Sequence, residues 1–471
     1  MNGRIQRFSR DFSYAALSSL IAAAVSVLSV LILPKFLGLE DYGYLALFLF
    51  YASYVPVLQL GWTDGIYLRF GGVKYEELDR SAFSSQFLLL LISQGSLGLL
   101  LAAYAVAAPL DTQREFLLAT LAGYMVLVNA RFFFTYIMQA SGRFREYARV
   151  TVSDRLIYLS IVTVLIAAGE YGYRNIVYAD LVAKTASLIG AIYLCRTVVF
   201  ARPTRLHLSL NEARRNIFAG AQIMFSNTSN MLILGVVRYS IDRTFGVVAF
   251  GKMALALNVT SFLMVLINAT GMVLFPLLRR AAPSRLPAYY IAIRTLLMPA
   301  LLGSLLLFYP VNAVLSVWLP AYGDSLRYLS IVFPVVVFEA RMALLVNTYF
   351  KTVRAESILL AINAGALLIS GALAYFSTSV VGSLDVAALS IVAVLGLRST
   401  IAELTILRII RARVSSDLWI EIFMVSLFIA ANWFAPGFVH AFLYTLSFAV
   451  LLLLKRNEIR ETARWIFTGD S

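Results

Sequence analysis

The sequence predicts an all-α integral membrane protein of about fourteen transmembrane helices: two six-helix lobes related by a pseudo-two-fold axis, then two C-terminal helices. Three observations carry this. Of 471 residues, 61% are hydrophobic and 14% charged, far too apolar for one soluble domain. Apolar runs of roughly 20 residues, enough to cross a bilayer, recur along the whole chain. The 39 lysines and arginines fall mainly in short segments between those runs.

Residues 13–33 form the first run, behind Arg4, Arg7 and Arg10. It is too long for a signal-peptide core and no A-x-A-like site follows, so it reads as an uncleaved span. The next five lie at 42–62, 84–108, 116–138, 150–168 and 176–195. Six more lie at 216–237, 247–275, 288–309, 328–350, 357–376 and 386–407, and a closing pair at 418–435 and 438–454. The organisation expected is an N-terminal lobe over 1–200, a basic linker over 201–215, a C-terminal lobe over 216–413 and a C-terminal segment over 414–471.

Charge tests the count. With the N-terminus in the cytoplasm, the segments on that side hold 26 Lys and Arg, against 6 in the outer loops. A miscounted span would exchange inside for outside and blur that contrast, so both termini are expected to be cytoplasmic. The net charge of +14 is therefore a topology signal, not a nucleic-acid footprint. The most basic loop, Arg196–Arg215, reads as a topology determinant and lobe linker, with binding of anionic headgroups as the sharper alternative. Within it, Ser209 and Glu212 fit a capping box ahead of a short helix.

Seven basic residues fall inside spans: Arg131, Arg155, Lys184, Lys252, Arg294, Arg341 and Arg398. Each costs about 2.5–3.5 kcal/mol at a helix centre on insertion scales. Arg155 and Arg294 lie near span ends and can snorkel. Arg131 and Arg341 lie deeper and share a local pattern: Ala130, Arg131 and Glu146 match Ala340, Arg341 and Glu356 at an offset of 210 residues. A second echo pairs Tyr42-Gly43-Tyr44-Leu45-Ala46 with Phe245-Gly246-Val247-Val248-Ala249. Two parallel six-span repeats with a path between them follow from these echoes.

Three stretches resemble bacterial polysaccharide flippases, the Wzx-type members of the multidrug/oligosaccharidyl-lipid/polysaccharide (MOP) exporter superfamily. They are LPKFLGLEDYGYLALFLFY (Leu33–Tyr51), YIMQASGRFREYARV (Tyr136–Val150) and the run from Phe245 to Arg280. In similar proteins an aspartate often ends the seventh-span Asn/Ser stretch; here Ser226-Asn227-Thr228-Ser229-Asn230 places Asn230 there. The resemblance implies a two-lobed transporter of the bacterial inner membrane, moving an undecaprenyl-diphosphate-linked oligosaccharide between leaflets by alternating access. It also implies polysaccharide polymerase and chain-length machinery as partners, beside membrane lipids and the substrate itself.

The candidate sites follow from charge. A diphosphate headgroup needs cations in the cavity, and an arginine fork suits its oxygens; Arg131, Arg341, Lys184, Lys252 and Arg398 are the candidates. The competing expectation is structural pairing: Asp154 with Arg131, Asp180 with Lys184, Glu403 with Arg398. Asn227, Asn230, Asn258 and Asn268 could bind sugar hydroxyls. Glu339, Asp180 and Asp64 are candidates for proton or sodium coupling, since an intramembrane carboxyl readily takes up a proton. The rings from Phe132 to Tyr136 could stack on sugars but more often pack in lipid or protein.

Other chemistry is not visible. One cysteine and two histidines leave no disulfide and no plausible metal site, and no P-loop marks an ATPase. No catalytic residue and no cofactor are expected. The alternatives are a peptidoglycan lipid II flippase, a multidrug or cation antiporter of the same superfamily, and a membrane glycosyltransferase or polymerase. The arginines disfavour a cationic substrate, and no acidic catalytic loop supports an enzyme.

Overall fold

The computed structural model describes residues 21, 25, 29–203, 206–280, 282–412, 417–435 and 438–468, with side chains for all of these except 206–208, 226–227, 265–266, 268–280, 283 and 466–468. Every element in the described residues is helical. Among the described residues, ten helices are long and apolar enough to cross a membrane, or twelve if two bent pairs each count as a span. The expected first span, 13–33, lies largely outside the described residues. The chain is an all-α, multi-pass membrane protein. It divides into two compact units, between Thr228 and Ser229.

The first unit opens with α1 (29–36) and α2 (Leu39–Tyr54). Pro56, which has no N–H to donate, starts a 3-10 turn over Val55–Gln59. Leu60 and Gly61 then take φ of 55° and 81°, and α3 (Trp62–Phe70) leaves at 55° to α2. The span read as 42–62 is thus a broken helix reaching Phe70. α4 (Arg80–Ala107) and α5 (Thr112–Ala140) start on Asp79 and Asp111, whose carboxylates accept from Ala82 N at 3.1 Å and Arg114 N at 2.8 Å. Such caps satisfy N–H groups that have no partner within the helix. α6 (Phe144–Ala167), α7 (Tyr173–Leu194), the short α8 (Arg196–Val199) and the start of α9 (Leu206–Arg280) complete the unit.

Phe133 and Phe134 are wholly buried and pack with Trp62, Phe83, Phe87 and Cys195. The aromatic run beside Arg131 is therefore partly core, as lateral packing demands in a medium where lipid offers no hydrophobic drive between helices. The first turns of α9 lie against α3 with no room for side chains. A Cβ on Gly65 would sit 1.8 Å from Asn216 O, and one on Gly220 would sit 2.0 Å from Gly61 O. Small residues permit that approach. It explains why the unit boundary falls inside α9, after Thr228, and not in the expected 201–215 linker. Because α9 begins at Leu206, Ser209 lies inside its first turn and does not cap it. Glu212 instead binds Arg69 at 2.6 Å.

In the second unit, α9 is interrupted at Gly246 (φ 82°, ψ 178°). Gly43, its expected counterpart, sits inside the regular helix α2, so the two motif copies adopt different backbones. α10 (Leu286–Ser304) and α11 (Phe308–Trp318) follow. α12 (Gly323–Val332) and α13 (Val335–Arg341) meet at 44°, with Pro334 at the joint. A π turn over Met342–Val346 leads to α14 (Asn347–Thr352), then α15 (Glu356–Tyr375) and α16 (Leu384–Ile410). α17 (Asp417–Phe434) and α18 (Val439–Thr468) pack on each other and on α10. The closing pair thus belongs to the second unit.

Candidate functional site

The five cations proposed from sequence have five different environments. Lys184, on α7, donates to both oxygens of Asp154 at 2.9 Å and to Asp180 at 3.1 Å. All three are buried. Asp180 and Lys184 are i,i+4 on one helix face, and Asp154 comes from α6 alongside. Lys252, on α9, reaches Asp324 at 2.6 Å; with the lysine 21% and the aspartate 70% exposed, this is a peripheral pair.

Arg398, on α16, joins a four-residue network. Its Nε donates to Asn363 Oδ1 at 2.9 Å, and its Nη1 donates to Asn230 Oδ1 at 2.6 Å and Glu339 Oε1 at 3.1 Å. Asn230 Nδ2 donates back to Glu339 Oε2 at 2.6 Å. Sequence reasoning paired Arg398 with Glu403, five residues on; that offset turns Glu403 away from Arg398 and towards α10 and α13.

There Glu403 accepts from Arg341 Nη1 at 2.9 Å and Arg294 Nε at 2.6 Å. Arg341 is 0% exposed and also donates to Glu421 at 2.6 Å and Ser399 at 2.8 Å. Arg294 does not snorkel: it is 2% exposed and locked into the same cluster.

Arg131 stands apart. It lies within α5, 7% exposed, and makes no hydrogen bond or ion pair with any described residue. Its Nε is sealed without an acceptor, and its guanidinium carbon sits 5.2 Å from the Phe132 ring centre. Asp154, its expected partner, is committed to Lys184. A cation–π contact contributes roughly 0.5–2 kcal/mol and does not offset burial of a full charge.

Around the break in the second span lies a polar framework that the sequence did not single out. Asn129, two residues before Arg131, accepts from Gln59 at 2.8 Å and donates to Gln94 at 2.6 Å and to Val55 O at 3.3 Å. Gln94 donates to Leu58 O at 3.3 Å. These amides occupy carbonyls freed by the broken helix, the condition on which irregular backbone survives at membrane depth. The signal available was Pro56 followed by Gly61 in an apolar run, a broken-span signature. Asn216 bridges the same region, donating to Gln86 at 2.5 Å and accepting from Arg69 at 2.5 Å.

The remaining candidates are dispersed. Glu339 has both oxygens engaged as above, and Asp64 is half-buried beside Tyr136. Asn258 is half-buried, whereas the side chains of Asn227 and Asn268 lie outside the described ones. No group of three or more His, Cys, Asp or Glu that could hold a metal occurs among the described residues.

A family model described as "Polysaccharide biosynthesis protein" matches residues 32–311, more than half of the chain. The chain belongs to that polysaccharide biosynthesis protein family. The matched range covers the broken second span, Arg131 and the Lys184 triad, and ends before Arg341.

The fold of this polysaccharide biosynthesis protein is that of the MOP transporters. An inward-facing multidrug resistance MATE family transporter of the MOP superfamily gives a TM-score of 0.63 at 15% identity, over 84% of this chain and 94% of that one. The lipid II flippase MurJ in its inward closed conformation gives 0.61 at 10% identity, over 94% and 99%. An outward-facing MATE family transporter gives 0.54 at 15%, over 85% and 96%. No curated relative matches the sequence.

Proposed function

We propose that this protein is a non-enzymatic flippase of the bacterial inner membrane, moving an oligosaccharide carried on undecaprenyl diphosphate between leaflets by alternating access. The observation that carries the reading is Arg131: a guanidinium buried within an apolar helix with no acid beside it among the described residues. An uncompensated cation at that depth costs several kcal/mol. A diphosphate would supply the missing negative charge and a geometry that suits the arginine fork. Membership of the polysaccharide biosynthesis family and a MOP fold both suit a lipid-linked sugar as cargo.

Arg341, Lys184, Lys252 and Arg398 are each neutralised by carboxylates. In this reading the headgroup therefore goes first to Arg131, and Arg341 serves the packing of the second unit. A surface polysaccharide repeat unit is the intended cargo, with the polymerase and chain-length machinery taking it up outside.

The test is the lipid-linked intermediate in cells. Cells carrying only Arg131→Ala should accumulate an undecaprenyl-diphosphate-linked oligosaccharide on the cytoplasmic side while the protein still inserts. Accumulation of the peptidoglycan precursor instead would move the assignment to lipid II. Normal surface polysaccharide would remove the role given to Arg131.

A further inference from the structure

Beyond substrate binding, the second unit holds a carboxylate that nothing above employs. Glu421, on α17, is 2% exposed. Its Oε2 accepts from Arg341 Nη1 at 2.6 Å and lies 3.6 Å from Arg294 Nη2. Its Oε1 is sealed and has no hydrogen-bond partner. Glu403, in the same cluster, shows the contrast: Arg294 and Tyr290 donate to its Oε1 at 2.6 and 3.1 Å, and Arg341 donates to its Oε2 at 2.9 Å. A carboxylate oxygen buried without a donor costs at least about 1–3 kcal/mol.

Glu421 also lines a cavity of about 30 Å³ together with Arg294, Asp417, Lys455 and Glu458. A buried water needs roughly 10–15 Å³ and polar partners, so this space takes one or two. Its lining runs from buried Glu421 to Glu458, whose side chain is 55% exposed. Lys455 bridges Asp417 and Glu458, at 2.7 Å to each.

Charges face Glu421 from several neighbouring helices. α10 brings Arg294, α13 Arg341, α16 Glu403, and α18 Lys455 and Glu458, while α17 adds its own Asp417. α12 also packs on α17, but its charges are turned elsewhere: Asp324 holds Lys252, and Arg327 binds Asp385 and stacks on Trp433. The set thus holds three cations and four carboxylates, and one proton makes it neutral.

We propose that Glu421 is a proton-binding site, loaded through this cavity, and the carboxyl through which transport is coupled to protons. The step is a single transfer: a hydronium ion in the cavity gives its proton to the Glu421 carboxyl, leaving water, and Glu421 becomes a neutral acid. A sodium ion fits less well, because Arg294 and Lys455 line the same space. Protonation weakens the pull of Glu421 on Arg341 and loosens α17 from α13, giving the cluster two states. Glu339 and Asp180 do not compete for this role: the oxygens of Glu339 are engaged by Arg398 and Asn230, and Asp180 is held by Lys184.

The coupling role rests on the flippase reading, whereas protonation of Glu421 does not. Infrared difference spectra of the full-length protein in phosphatidylcholine vesicles, taken as pH falls from neutral, separate the two. The expected result is a carboxylic-acid carbonyl band that grows with acid, disappears in Glu421→Gln and persists in Glu339→Gln. Should Glu421→Gln not fold, Glu421→Asp should shift the band. A band unchanged in either Glu421 variant, or absent from the wild type, overturns the proposal whatever substrate the protein moves.

Discussion

Nη1 of Arg341 lies 2.6 Å from Oε2 of Glu421, and neither side chain is more than 2% exposed. This contact ties α17, and with it the C-terminal helix pair, to the heart of the second unit. Removing one member of a buried pair leaves the other charged and unpaired, at a cost of about 3–5 kcal/mol. Arg341→Ala should therefore lower the melting temperature of the detergent-solubilised protein sharply. The peripheral Lys252→Ala should shift it little. Equal melting temperatures for the two variants would refute the structural role given to Arg341.

That distinction between Arg341 and Arg131 was not legible in the sequence. Both arginines follow an alanine at one offset and sit at similar depth, and single-sequence reasoning has no means of locating Glu421, 80 residues further on. The helical fold was legible, because apolar run length and loop charge report on the bilayer directly. Pairings were read only where they are local: Asp180 with Lys184 follows from helix geometry, whereas Asp154 with Lys184 and Glu339 with Arg398 depend on tertiary packing. The bend in the second span is hidden in the sequence because Pro56 and Gly61 sit within one apolar run, and hydropathy does not report where backbone hydrogen bonds go.

The glycines between α3 and α9 make a separate prediction. Gly65→Ala places a methyl 1.8 Å from Asn216 O, and Gly220→Ala places one 2.0 Å from Gly61 O. Neither neighbour is a flexible side chain, so the backbone must move, at about 1–3 kcal/mol or more. Both variants should lower thermal stability. Gly123→Ala, at an exposed position inside α5 where nothing lies within 4 Å, serves as the control and should not lower it. If Gly65→Ala melts with the wild type, the close approach of these helices is wrong.

Asn129 holds the broken second span by occupying Val55 O and two glutamines. Asn129→Leu keeps the volume but strands those groups, each at about 1–3 kcal/mol. Faster amide hydrogen exchange over residues 55–61, relative to the wild type, is the expected signature. Unchanged exchange there would show that the carbonyls do not depend on Asn129.

Cys195 follows α7 and is wholly buried. A sulfur with no exposed surface is out of a reagent's reach while the fold holds, and such structural cysteines are inert. Maleimide should leave the native protein unmodified and label it once denatured. Rapid labelling without denaturant would contradict the burial of Cys195 in the core of the first unit.

The central claim is that Arg131 meets the anionic headgroup of the cargo. Its most direct test is flipping of a fluorescent undecaprenyl-diphosphate-linked oligosaccharide by the purified protein in vesicles. The reading predicts that Arg131→Gln lowers the rate by at least about tenfold, the effect of 1.4 kcal/mol, with Arg131→Lys retaining part of it and Lys252→Gln close to wild type. Wild-type flipping by Arg131→Gln would contradict the account.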